Sequence, residues 1–139
     1  MDRQYPDRPL LGVGAVICQN GCVLLVRRAN PPLEGEWSIP GGLVETGETT
    51  QEALIREVRE ETSLEIEPVK LVKVFERILR DEQSRVQYHF VLIDYLCRVV
   101  QGEALAASDV SELSWASADE LETYSVAEET CRVIREAIS

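Results

Sequence analysis

One stretch constrains the fold more than any other: residues 85–100 read as a long strand with no polar face. Val86, Tyr88, Phe90, Leu92, Asp94 and Leu96 alternate to one side, and Gln87, His89, Val91, Ile93, Tyr95 and Cys97 to the other. Both sets are largely apolar, so the strand needs cover on both sides and belongs at the centre of a sheet. An α/β architecture follows, with helices on the faces of a mixed sheet. At 139 residues the chain is long enough for a real core and short enough for a single domain spanning 1–139.

The other elements fall into place around it. Two β-like runs, residues 10–19 and 22–26, flank Asn20-Gly21, a pair suited to the two positive φ angles of a type I′ hairpin turn. Residues 30–42 hold Pro31, Pro32, Gly35, Pro40, Gly41 and Gly42, which predicts a loop with one short strand at 37–39. Residues 49–62 predict a helix: Thr49 and Glu52 form a capping box, and Leu54, Ile55 and Val58 share one side. After Pro68 a strand is expected at 69–79, then a polar turn at 80–84. A short strand at 112–116 follows, then a short helix capped by Ser117-Ala118-Asp119-Glu120. A final helix carries the stripe Ala127, Cys131, Ile134 and Ile138.

Charge narrows the function classes. The formal net charge is −11, a surface that repels nucleic-acid backbones and anionic membranes. Small phosphates are compatible only where metal ions or a local basic cluster cancel the field. No run of about 18 apolar residues occurs, and the start of the chain has no apolar leader, so neither export nor membrane insertion is expected. Cys18, Cys22, Cys97 and Cys131 form no C-x-x-C pair and sit mostly in apolar runs, which suits reduced core thiols and a cytoplasmic location.

The chemistry concentrates in residues 41–64, GGLVETGETTQEALIREVREETSL. Glu57, Glu60 and Glu61 are spaced i, i+3, i+4 and share a stripe that abuts the apolar one instead of opposing it. Carboxylates about 6 Å apart repel by roughly 3 kcal/mol per pair at an effective dielectric of 20. Half-buried, such a trio calls for a cation. With no His or Cys beside it, the all-oxygen set favours Mg²⁺ or Mn²⁺ over zinc, and Mg²⁺ in turn favours phosphate partners. Gly41 and Gly42 lack a Cβ, so their backbone can approach a metal or phosphate closely. Arg56, four residues after Glu52 and four before Glu60, is placed to pair with acids and hold their rotamers.

These residues closely resemble the Nudix hydrolase signature: a Gly, five residues, Glu, seven residues, then Arg-Glu-apolar-x-Glu-Glu-x-Gly-apolar. Here it reads Gly42, Glu48, Arg56, Glu57, Val58, Glu60, Glu61 and Leu64, with Ser63 where the pattern has Gly. The resemblance implies the Nudix fold, an α/β/α sandwich around a mixed sheet. It also implies Mg²⁺-dependent (or Mn²⁺-dependent) cleavage of a nucleoside diphosphate linked to another group. By the same resemblance Glu57 and Glu61 are metal ligands, with Glu60 next and the Gly41 carbonyl as backbone ligand. Glu48 and Arg56 look like the motif's structural pair, and the expected catalytic set is Glu57, Glu60, Glu61 and Arg56. The general base is not set by the motif: Glu60, Glu103, Asp109 and Glu112 are the candidates.

The wider pattern, LLVRRA, a Pro-containing loop and GEWSIPGG, looks most like the ADP-ribose pyrophosphatase or MutT-like branch. The leading expectation is a hydrolase that splits ADP-ribose into AMP and ribose 5-phosphate. The alternatives are a MutT-type nucleoside triphosphate pyrophosphatase and a noncatalytic nucleotide-sensing module. A homodimer is one expected assembly, since relatives of this fold commonly dimerise. Arg27 and Arg28 end a strand and either reach a phosphate or form surface pairs. Trp37, His89, Trp115, Tyr124 and the four cysteines read as packing residues.

Overall fold

Asn20 and Gly21 adopt φ of 52° and 77°, joining β1 (Leu10–Gln19) to β2 (Cys22–Arg28) by the turn their sequence demands. The computed structural model describes residues 3–31 and 33–139; Met1, Asp2 and Pro32 lie outside them, so the breaker role expected of Pro32 does too. β2 pairs antiparallel with the short β3 (Trp37–Ser38). The chain then doubles back into a strand the sequence did not suggest, β4 (Gly41–Leu43), which pairs with residues 12–14 of β1. β1 therefore forks, bonded to β2 at Cys18 and Gln19 and to β4 nearer its start.

Helix α1 (Thr50–Thr62) follows. Thr49 Oγ1 accepts from the Glu52 N–H at 3.1 Å, and the Glu52 carboxylate accepts from the Thr49 N–H at 3.1 Å, completing the capping box. The next strand, β5 (Glu65–Arg80), starts four residues earlier than expected and runs through Pro68. Proline is tolerated there because β5 lies at the sheet's edge and its register shifts between Pro68 and Lys70. β6 (Val86–Gln101) occupies the interior position its two apolar faces require, parallel to β1 and antiparallel to β5. β7 (Val110–Ala116) is two residues longer than expected and pairs with β2. The sheet thus runs β3-β2-β1-β6-β5, with β4 on β1 and β7 on β2.

After a 3-10 turn at Ala118–Glu120, α2 (Glu128–Ile138) closes the chain. Its buried stripe is Thr130, Cys131, Val133, Ile134 and Ala137, so Cys131 and Ile134 face inward as expected, while Ala127 precedes the helix and Ile138 is exposed. The two helices take opposite faces. Ala53, Leu54 and Val58 of α1 pack on Val13, Ala15 and Ile17, whereas Cys131, Val133 and Ile134 of α2 pack with Val16, Val23 and Leu25. Adjacent β1 residues feed both halves of the core because strand side chains alternate. All four cysteines are free thiols. Among the described residues no helix is long and apolar enough to cross a membrane.

Ser63 caps α1 in the left-handed region, φ 64° and ψ 9°, with its N–H donating to the Arg59 carbonyl at 3.0 Å. A side chain there costs about 1–2 kcal/mol, partly offset by the extra freedom glycine carries when unfolded. Ser63→Gly is expected to stabilise the fold by under about 1 kcal/mol and leave turnover nearly unchanged. Urea unfolding beside a kinetic assay checks this; a large loss of activity would show that the hydroxyl serves the chemistry.

Candidate active site

The capping box starts α1 at a defined residue and thereby sets which side chains face β4. Leu54 and Val58 are fully buried, and the stripe beside them carries Glu57 and Glu61 toward the glycines. A Cβ on Gly42 would lie 2.3 Å from the carboxyl carbon of Glu57, so that acid occupies space only glycine leaves open. The Glu61 side chain, 5% exposed, accepts from the Gly41 N–H at 2.9 Å. Glu60 points elsewhere, half exposed, with Arg56 Nη1 at 3.4 Å.

Arg56 binds this region together. Its Nε and Nη2 grip the two oxygens of Glu48 at 2.6 and 2.8 Å, its Nη1 donates to Glu57 at 2.8 Å, and Nη2 also reaches the Leu43 carbonyl at 3.1 Å. Glu48 further accepts the Glu45 N–H at 2.9 Å. The Arg56 bonds, then that N–H, hold Glu48 down at about 2, and Glu48, then Glu57, hold the guanidinium charged.

The two acids against the glycines are pushed the other way. Burial, above all, raises Glu57, with Glu60 and Asp109 adding to it and Arg56 opposing. Burial and then the neighbouring Asp109 carboxyl lift Glu61 to about 9, against the pull of the Gly41 N–H. Asp109 was one of four candidate bases, and the fold explains its arrival. The loop after β6 is tied to the end of α1 by Leu105 N–H to Thr62 O at 2.9 Å and Ala107 N–H to Glu61 O at 3.0 Å. Of the others, Glu112 pairs with Arg27 at 2.9 Å and Glu103 is exposed. Among the described residues no three His, Cys, Asp or Glu side chains stand close enough to enclose an ion as they lie. The donor set is nevertheless hard oxygen throughout, and the burial and then the repulsion that lift Glu57 and Glu61 are what a divalent cation offsets.

A cleft of about 120 Å³ opens on the other side of β4, walled by Gly12, Gly14, Ile39, Phe75, Phe90 and Leu92, with Arg28, Arg77 and Asp94 among its polar groups. Of the two strand-end arginines, Arg27 is held by Glu112 and the Gly35 carbonyl, while Arg28 lines the cleft. Trp37 packs edge-on against Tyr124 with ring centres 5.0 Å apart, and Trp115 packs on the α1 half of the core. Sequence reasoning gave Asp94 no role; its place in an apolar alternation was the one available signal.

Two outcomes follow from the electrostatics. Arg56→Lys keeps the charge and loses the two-pronged grip, so stability is expected to fall by about 1–2 kcal/mol in urea unfolding. For Glu61, whose folded value lies above the ordinary 4.5, stability in chelator is full below about 4.5 and declines as pH rises toward 9. Glu61→Gln should flatten that decline in urea midpoints taken across the same range.

The comparisons agree with this geometry. A family model described as the NUDIX domain matches residues 8–136. The chain is 36% identical over 104 residues to an ADP-ribose pyrophosphatase of Methanocaldococcus jannaschii, covering 75% of this chain and 59% of that protein. It is 31% identical over 108 residues to a MutT-like protein of Streptomyces ambofaciens, covering 78% and 63%. The chain thus spans about three-fifths of the length of these curated relatives. The crystal structure of a MutT NUDIX hydrolase from Burkholderia pseudomallei superposes with a TM-score of 0.81 at 27% identity, over 94% of this chain and 98% of that one. With its signature helix, forked mixed sheet and near full-length match to the family model, this chain belongs to the Nudix family.

Proposed function

We propose that this chain hydrolyses the diphosphate bridge of a nucleoside diphosphate joined to a further group, with ADP-ribose, split into AMP and ribose 5-phosphate, as the first substrate to test. One observation carries the reading: α1 holds Glu57 and Glu61 against the glycine backbone of β4, beside Asp109, as hard oxygen donors that repel one another. The ADP-ribose choice draws support from the name of the Methanocaldococcus relative.

Glu57 and Glu61, then Glu60 and the Gly41 carbonyl, are the groups that would hold Mg²⁺ or Mn²⁺. When bound, the ion neutralises diphosphate charge and lowers the pKa of a coordinated water. The chain's own residues do the remaining work. Arg56 orients Glu57, and Gly42 leaves the space in which that carboxylate sits. Arg28 on the cleft wall offers positive charge to phosphate oxygens in an otherwise acidic protein, with Arg77, paired to Glu129, adding to the local field. Asp109, next to Glu61, is assigned to accept the proton of the attacking water as its oxygen bonds to phosphorus and the P–O–P bridge opens. The four thiols suit a reducing compartment, for which the cytoplasm is proposed.

The test is a product assay with ADP-ribose and Mg²⁺, resolved by chromatography. AMP and ribose 5-phosphate are expected. Glu57→Gln and Glu61→Gln should each lower kcat by about 100-fold or more with the fold intact by circular dichroism, and chelation should abolish turnover. Release of pyrophosphate from nucleoside triphosphates, with ADP-ribose untouched, would replace this reading with the MutT-type one. Binding without turnover across a nucleotide panel would replace it with the sensor.

A further inference from the structure

Asp94 is a buried acid outside the machinery described above. It lies on β6 among Phe90, Leu92 and Leu96, 4% exposed, and its side chain lines the cleft. The parallel register sets it opposite Gly14 of β1, where a Cβ would stand 2.3 Å from Asp94 Oδ1. Room for this carboxyl is therefore made in the neighbouring strand by the absence of a side chain.

Its electrostatic surroundings are incomplete. Among the described residues no N–H or O–H donates a hydrogen bond to Asp94, and none of their unpartnered side-chain oxygens is fully sealed, so its carboxyl oxygens open onto the cleft. The cation that favours its charged form is Arg77, and that guanidinium is engaged elsewhere, with Nε and Nη2 on Glu129 Oε1 at 3.0 and 2.7 Å. Buried carboxylates ordinarily collect several donors, since burial without them is costly. Burial accordingly lifts Asp94 to about 6, with Arg77 opposing. A carboxyl that is buried, given space by a glycine and left without donors inside a cleft is arranged to receive them from whatever enters.

We propose that Asp94 is a specificity-determining residue of this cleft, accepting hydrogen bonds from two neighbouring donors on the non-phosphate part of the substrate. The inference rests on the reading above in taking the cleft as the nucleotide's seat. Two chemical groups present such a pair: the vicinal diol of a ribose and the N1–H/N2–H₂ edge of guanine. The cleft's apolar walls, Ile39, Phe75, Phe90 and Leu92, can flank either one, and Arg28 lines the same cleft.

Calorimetric binding to the metal-free chain, in chelator, separates these sources. GMP against IMP differ by the N2 amino group alone; ribose 5-phosphate against 2-deoxyribose 5-phosphate differ by one hydroxyl of the diol. The wild type is expected to prefer the full donor pair at least tenfold in one comparison, GMP marking the base and ribose 5-phosphate marking the sugar. Asp94→Asn, whose amide keeps the shape and loses one acceptor, should erase that preference, and Asp94→Ser serves if the amide does not fold. A wild type that discriminates in neither comparison, or a folded variant that keeps the preference, overturns the assignment. A purely structural Asp94 would alter stability and leave the ratio unmoved. Because no turnover is read, failure to hydrolyse ADP-ribose would defeat the proposed function and leave this result standing.

Discussion

The guanidinium of Arg56 is the interaction on which the site's geometry depends. It joins three successive segments: the end of β4 through the Leu43 carbonyl, the loop before the helix through Glu48, and α1 itself through Glu57. A planar group with five donors can do this because each N–H points in a fixed direction, which an ammonium cannot reproduce. Without it, Glu48 and Glu57 would repel each other across the turn. The glycines of β4 act as its complement, since the space they leave is what allows Glu57 to lie flat against the backbone.

Much of this frame was readable locally. Asn20-Gly21 and the Thr49 and Glu52 capping box each express a preference of a few adjacent residues, and the structure honours both. What escaped the sequence depends on contacts made across long separations. β4 looked like loop because Pro40, Gly41 and Gly42 carry no strand propensity; its partner, residues 12–14 of β1, makes it a strand. Pro68 looked like a boundary, yet an edge strand has no donor to lose on its outer side. The approach of Asp109 to Glu61 follows from two backbone bonds at the end of α1, a closure that no spacing rule announces.

The acid–base balance also reads differently in place. A net charge of −11 disfavours anionic ligands at long range, but the fold distributes its cations unevenly. Arg28 and Arg77 line the cleft, Arg77 while pairing with Glu129, and Arg27, Arg59, Arg98 and Arg132 pair with glutamates away from it. Exposed pairs of that kind contribute little to stability and are screened by salt. Half-buried arginines on a cleft wall act over shorter distances, where screening is weaker. The local field at the cleft thus departs from what the total charge suggests.

The parallel pairing of β1 with β6 bears on when the molecule can assemble. Leu10 meets Phe90, and every later pair along the two strands keeps the same spacing of about 80 residues. The β1–β2 hairpin and the β5–β6 hairpin are local and can close early, but neither buries β1 until the two meet. On the ribosome, Val13, Ala15 and Val16 emerge long before β6 exists to cover that edge. The nascent chain therefore carries an apolar, half-paired strand through most of its synthesis, a substrate for chaperones until its last third is made.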